Sequence, residues 1–235
     1  LNLPLLDQIV GGSHCPFRVH CRGTLCTRDN AVGARCWSGG SRLTAAKAGY
    51  DEGCKLLSEK GIHFELKPDA KVKDQIFISG EEAIGLGAIA GGCNFIGAYP
   101  MSPSTGILQY MAKNAEKFGV VVEQAEDEIA GINMALGAWY AGARALASSS
   151  GGGFALMTEG LSLGGMTETP VVVHVAQRPG PATGQPTRTE QGDIELALYA
   201  GHGEFPRAIL APGNLQQAFE YTRLAFDVAD KTQSP

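Results

Sequence analysis

The chain has 235 residues, a formal net charge of −5, and 44% hydrophobic against 18% charged residues, the balance of a globular protein long enough to bury a core. That charge gives no reason to expect nucleic acid or an anionic membrane as a partner, and no apolar run reaches the ~18 residues of a membrane span. There is no initiator Met and no basic-then-apolar leader, so a cytoplasmic location is expected.

Residues 1–10 read as a short amphipathic turn of helix. Residues 11–42 change character: they hold five of the ten arginines, no lysine, and neither a two-residue nor a 3.6-residue period. They are expected to be poorly ordered, and their composition suggests divergence or a shifted reading frame. Four of the six cysteines (Cys15, Cys21, Cys26, Cys36) lie in this stretch; Cys54 and Cys93 follow it. None forms a C-x-x-C pair, so all six read as free thiols and no metal site is expected. A helix is expected from Leu43, with Ala46, Tyr50, Cys54 and Leu57 at helical spacing, then a linker to about residue 74.

From Gln75 the pattern alternates. Strands are expected at 76–79, 94–99, 120–124, 144–150, 170–177 and 207–210. Helices are expected at 81–90, 106–118, from about 127, at 154–166, 193–199 and 215–229, with GGG at 151–153 as a turn. Apolar strands alternating with helices give an α/β fold, a doubly wound, mostly parallel sheet covered on both faces. The closing Gln233-Ser234-Pro235 reads as the lead into a further strand, as if the chain were truncated before a C-terminal domain.

In such a sheet ligands bind outside the carboxyl ends of the strands. Four loops there carry special residues. YPMSPS at 99–104 fixes an extended loop with two prolines and presents hydroxyls; its plainer reading is a rigid turn whose serine caps the next helix. Glu126, Asp127 and Glu128 open a helix, where a buried carboxylate can hydrogen-bond a heteroaromatic nitrogen and shuttle its proton; capping the helix accounts for at least two of them. SSSGGG at 148–153 lets a flat ligand approach backbone groups and is not a P-loop. QRPGPATGQPT at 177–187 places Arg178 at a strand end, suited to a substrate carboxylate or to a nearby acidic side chain. His174 reads as a core residue and His202 as a loop residue. On the helix that follows the acids, Gly131, Ala135, Ala138 and Gly142 form a small-residue face, read as packing against a partner or neighbour.

Together the stretches GEEAIGLGAIAGGC, AYPMSPST, QAEDEIAGINMALGAWYAGARA, SSGGGFALMTEGLSLGGMTETPVVVHVAQRPGPATGQPTRTEQGDIELAL and GHGEFPR make residues 75–235 resemble the α subunit of 2-oxoacid:ferredoxin oxidoreductases, most closely the 2-oxoglutarate type with fused γ and α domains. LTAAKAGYDEG is similar to the end of the family's γ domain, so residues 1–70 are expected to be a γ remnant and 75–235 a thiamine diphosphate pyrimidine-binding domain. The resemblance implies that a glutamate opening a helix contacts the aminopyrimidine of thiamine diphosphate. The family's glycine nine residues on is matched by Gly137 for Glu128, whereas Glu126 would need Ala135, so Glu128 is the expected contact. Tyr99, Pro100, Ser150, Gly151 and Gly152 are expected to frame the cofactor. Ser102, standing where the family has Thr, and Arg178 and Thr187 are expected to bind the substrate. The implied reaction is coenzyme A-dependent oxidative decarboxylation of a 2-oxoacid with reduction of ferredoxin, 2-oxoglutarate favoured over pyruvate or a branched-chain acid. The Gly-Asp-Gly…Asn-Asn motif for Mg2+ and clustered cysteines for a [4Fe-4S] centre are absent, so a β subunit is expected to supply both, in a heterodimer or a dimer of heterodimers. A non-catalytic fragment or assembly module is the alternative from another class.

Overall fold

The computed structural model describes residues 39–61 and 69–235. They fall into two compact units divided between Ile76 and Phe77. The first contains helix α1 (Gly39–Glu59), whose start lies four residues before the expected Leu43, and a short 3-10 turn at Ala70–Val72. The readings of residues 1–10 and of 11–38, with their four cysteines, lie outside the described residues, as does most of the expected linker.

The second unit runs α2 (Gly80–Ala90), β1 (Phe95–Ala98), α3 (Thr105–Phe118), β2 (Val121–Gln124), α4 (Glu128–Tyr140), β3 (Ala145–Ser150), α5 (Gly151–Leu156), α6 (Thr158–Thr167), β4 (Val172–Ala176), α7 (Ile194–Tyr199) and α8 (Leu215–Thr232). The four strands are parallel in the order β2-β1-β3-β4. The first crossover, β1 to β2, runs one way across the sheet, and the later ones run the other way. Right-handed crossovers then place helices on both faces, α3 with α2 and α8 on one, α4 with α5 and α6 on the other. The direction reverses between β1 and β3, so the loops after these two strands flank the crevice where such sheets bind ligands.

Two of the six expected strands are corrected. Residues 76–79 are irregular, with Phe77 99% exposed. Ser79 is instead the N-cap of α2: its hydroxyl accepts from Glu82 N (3.2 Å) and its N–H donates to the Glu82 carboxylate (2.8 Å), a complete capping box. Residues 207–210 are also irregular. Ala208 N donates to Pro235 O, but the segment pairs with no strand, and a cavity of about 600 Å³ separates it from β4. Both are apolar runs of strand-like composition, but a strand exists only with a hydrogen-bonding neighbour. A third correction concerns GGG at 151–153, which forms the first turn of α5 rather than a loop.

Helix α4 fixes the position of the acidic cluster. Asp127 is its N-cap, accepting from Ala130 N at 2.7 Å. Of the small-residue face read as packing against a partner or neighbour, three residues meet a neighbour within the chain, and Gly142 is exposed beyond the helix end. Gly131 and Ala135 are buried against the chain's own sheet, and Ala138 packs on the same core. A Cβ on Gly97 of β1 would lie 3.1 Å from Gly131 O, and one on Gly131 would lie 3.3 Å from Gly97 O, so helix and strand meet backbone to backbone. At the amino ends of the strands, Trp139 Nε1 donates to Ala145 O (2.8 Å) and its ring stacks on Phe226 of α8. Arg144 ties the start of β3 to Gly91 O and to Asp227 and Asp230 of α8.

Candidate functional site

At the carboxyl ends of the strands, all four expected loops contribute to the surroundings of Glu128 and Arg178. Glu128 begins α4 and is 3% exposed, whereas Glu126 and Asp127 are exposed. Its Oε1 accepts from Ser149 Oγ at 3.3 Å, and no cation pairs with it among the described residues. Ser149 also lies 3.7 Å from Met101 Sδ, which joins the YPMSPS loop to the end of β3. Gly153 makes this arrangement possible: a Cβ there would lie 2.0 Å from Ser149 Oγ and 2.5 Å from Glu128 Oε1. Ser150 Oγ is buried without a partner.

Arg178 follows β4 and is 7% exposed. Its Nη1 donates to Ser102 O at 2.6 Å, its Nε is buried without a partner, and no carboxylate pairs with it among the described residues. A buried guanidinium with unmet donors suits an anionic ligand. The alternative of a neighbouring acidic partner is therefore not found. Ser102 contributes its carbonyl here, and its side chain is exposed. Ser104 occupies the N-cap of α3, but its hydroxyl turns back to Met101 O at 2.7 Å and stabilises the loop instead. Tyr99 is exposed and Pro100 half-buried at the end of β1. Thr187 is exposed on the loop after Arg178, and the structure brings it to no hydrogen bond among the described residues. Gly152 lies under that loop, where a Cβ would meet Ala182 O at 3.2 Å.

The two histidines stand apart from this cluster. His174 Nδ1 is 3.1 Å from Ser148 Oγ, its register partner on β3, and burial lowers its pKa to about 4. It is a neutral, satisfied residue of the sheet. His202 is exposed, and its backbone N–H donates to Ser162 Oγ. The described cysteines, Cys54 and Cys93, are free; burial pushes the Cys93 thiol up to about 12. No group of His, Cys, Asp and Glu able to hold a metal occurs among the described residues.

Ser149, Gly153, Gln177 and Asp193 were not singled out from sequence. Strand alternation was the available signal for Ser149, because it sets Ser149 on the opposite face from Ser148 and Ser150. Asp193 packs its carboxylate against Gly151, where a Cβ would lie 2.1 Å from Oδ1, and its Oδ2 is buried without a partner.

A doubly wound parallel sheet with a buried carboxyl and a buried guanidinium at the carboxyl ends of its strands belongs to the class of α/β domains that bind ligands there. Residues 86–235 match the family model described as pyruvate flavodoxin/ferredoxin oxidoreductase, thiamine diphosphate-binding, and the chain belongs to this family. It is 45% identical over 158 residues to the 2-oxoglutarate synthase subunit KorA of Archaeoglobus fulgidus, covering 67% of this chain and 46% of that protein. It is 41% identical over 184 residues to subunit alpha of 2-oxoacid:ferredoxin oxidoreductase 1 of Sulfurisphaera tokodaii, covering 73% and 29%. A solved 2-oxoglutarate:ferredoxin oxidoreductase from Magnetococcus marinus, with 2-oxoglutarate, coenzyme A and succinyl-CoA bound, superposes with a TM-score of 0.73 at 40% identity, over 84% of this chain and 35% of that one. The chain thus spans less than half the length of these relatives. No described helix is long and apolar enough to cross a membrane.

Proposed function

We propose that this chain is the α-subunit part of a 2-oxoacid:ferredoxin oxidoreductase that binds the pyrimidine side of thiamine diphosphate, with 2-oxoglutarate as the favoured substrate. Residues 75–235 form that domain, and residues 1–70 belong to a γ-type segment. The observation that carries the reading is the buried Glu128 carboxyl, held by a serine hydroxyl with no cation paired to it among the described residues, together with the buried Arg178, both at the carboxyl ends of the strands.

The residues fit the cofactor. Glu128 would hydrogen-bond a ring nitrogen of the aminopyrimidine and move a proton there, a role its burial supports. Ser149 orients the carboxyl, and Gly153 keeps the approach to it clear of a side chain. The unpartnered Ser150 hydroxyl, with Tyr99 and Pro100, would frame the ring, and Gly151 and Gly152 would contribute backbone only, because Asp193 and the Ala182 carbonyl lie over them. Thiamine diphosphate, when bound, supplies the carbon nucleophile and the electron sink that decarboxylation of a 2-oxoacid requires. Arg178 binds the substrate carboxylate with the donors it does not spend on Ser102, and the Ser102 and Thr187 hydroxyls serve the same 2-oxoacid head. In the net reaction carbon dioxide departs with its bonding electron pair left behind, those two electrons pass one at a time to two equivalents of oxidised ferredoxin, and the acyl group passes to the sulfur of coenzyme A with release of the thiol proton.

A β subunit carrying Mg2+ and the [4Fe-4S] centre completes the site; the naming of the relatives as alpha or KorA subunits supports such a partner. The free thiols Cys54 and Cys93 suit the reducing cytoplasm. The ligands named for the Magnetococcus protein support 2-oxoglutarate over pyruvate or a branched-chain acid.

Co-expression with a β subunit, followed by viologen reduction with 2-oxoglutarate, pyruvate and a branched-chain 2-oxoacid, tests the reading. Coenzyme A-dependent reduction is expected, fastest with 2-oxoglutarate. A chain that stays alone and binds no thiamine diphosphate would instead be a non-catalytic module.

A further inference from the structure

Arg178 and Thr187 sit on one loop, residues 178–192, between β4 and α7. The residues at its two ends are fastened together: Asp193 N donates to Gln177 Oε1 at 2.9 Å. Within the loop, Gln185 N donates to Pro179 O and Arg188 N to Gln185 O, both at 3.0 Å. Those bonds shape the loop but do not connect its ends. Asp193 is in turn seated on the sheet, its carboxylate filling the space above Gly151. The far end of the loop is therefore wedged against the start of α5, and Gln177 ties the near end to it.

We propose that Gln177 is a positioning residue: the Gln177–Asp193 clasp holds Arg178, its immediate neighbour, in place to receive the anionic head of the substrate. The inference rests on the functional reading above. Nothing in the chemistry of an amide at this place calls for contact with the substrate. Its carbonyl oxygen is already spent on a backbone N–H sixteen residues away. A long loop with closed ends is ordered before the ligand arrives, so the ligand does not bear that entropy. With the clasp removed, ordering falls on the binding step, and KM rises while kcat changes little.

The test uses the assembled α–β complex with Gln177→Met, which keeps the length and removes the acceptor. A second variant, Gln177→Asn, stays polar but shortens the reach. Two readouts are needed: hydrogen exchange at the Asp193 amide without substrate, and steady-state kinetics with the 2-oxoacid. Both variants are expected to lose protection at Asp193, and KM is expected to rise about fivefold to tenfold with kcat within about twofold of wild type. Unchanged protection, unchanged KM, or a fall in kcat at constant KM overturns the positioning role while leaving the activity standing. An inactive wild-type complex overturns the functional reading and this role with it, and is distinguished by the wild-type control alone.

Discussion

Three consecutive carboxylates follow β2, and their surroundings separate them. Asp127 spends its oxygen on the N-cap bond to Ala130 N, Glu126 is exposed, and Glu128 is buried with a serine hydroxyl as its donor. A proton-moving role needs a carboxyl that is held, shielded and not neutralised by a cation, and of the three only Glu128 meets that description. In the assembled complex Glu128→Gln is expected to lower kcat by at least about 100-fold, because the amide keeps the shape and cannot exchange the proton. Glu126→Gln is expected to retain most of the rate. Viologen reduction on both variants decides it, and equal losses would sink the assignment of Glu128.

At the scale of elements, the seat of α4 on β1 is a close contact of backbone on backbone. Gly97→Ala would bring a methyl to 3.1 Å from Gly131 O and 3.3 Å from Met134 Cβ, with backbone on one side and no space to yield. A loss of about 1–3 kcal/mol is expected, read as a fall in denaturation midpoint with an unchanged slope. The parts of the fold legible in sequence are those where a buried apolar run is bounded by turn residues: β1, β2, β3 and β4 lie within a residue or two of their expected places. The runs at 76–79 and 207–210 look the same in sequence and fail as strands, because pairing is a property of two segments and composition describes one. GGG at 151–153 misleads for a related reason. Glycine usually marks a turn; here it opens α5, because the Asp193, Ser149 and Glu128 side chains occupy the space where Cβ atoms of residues 151 and 153 would be. Arg178 could be named from its position at a strand end, whereas Glu128 could be told from Glu126 and Asp127 only by the spacing to Gly137 that the family resemblance implies. Gln177 and Ser149 could not be named, because their roles are hydrogen bonds to groups sixteen and twenty-one residues away.

For the molecule as a whole, acid and cavity are linked through His174. Its pKa in the fold is about 4, below the usual 6.5, so unfolding takes up a proton between these values. Stability from this group is complete above about pH 6.5 and is lost as pH falls toward 4. The ring also borders the cavity beside β4, where water reaches it, so the loss is taken as about 2 kcal/mol rather than the full value for a dry site. His174→Gln is expected to flatten that part of the stability curve, measured by denaturant unfolding from pH 7 to pH 4.5; a parallel curve would show that the ring does not titrate this way. The same contrast between open and closed packing bears on compression. Pressure acts on void volume, and among the described residues a cavity of about 600 Å³ lies beside β4, between that strand and residues 207–210. Gly131 and Gly97 leave none between α4 and β1. Hydrostatic pressure should therefore flood or collapse the space beside β4, while the helix that carries Glu128 keeps its distance from β1.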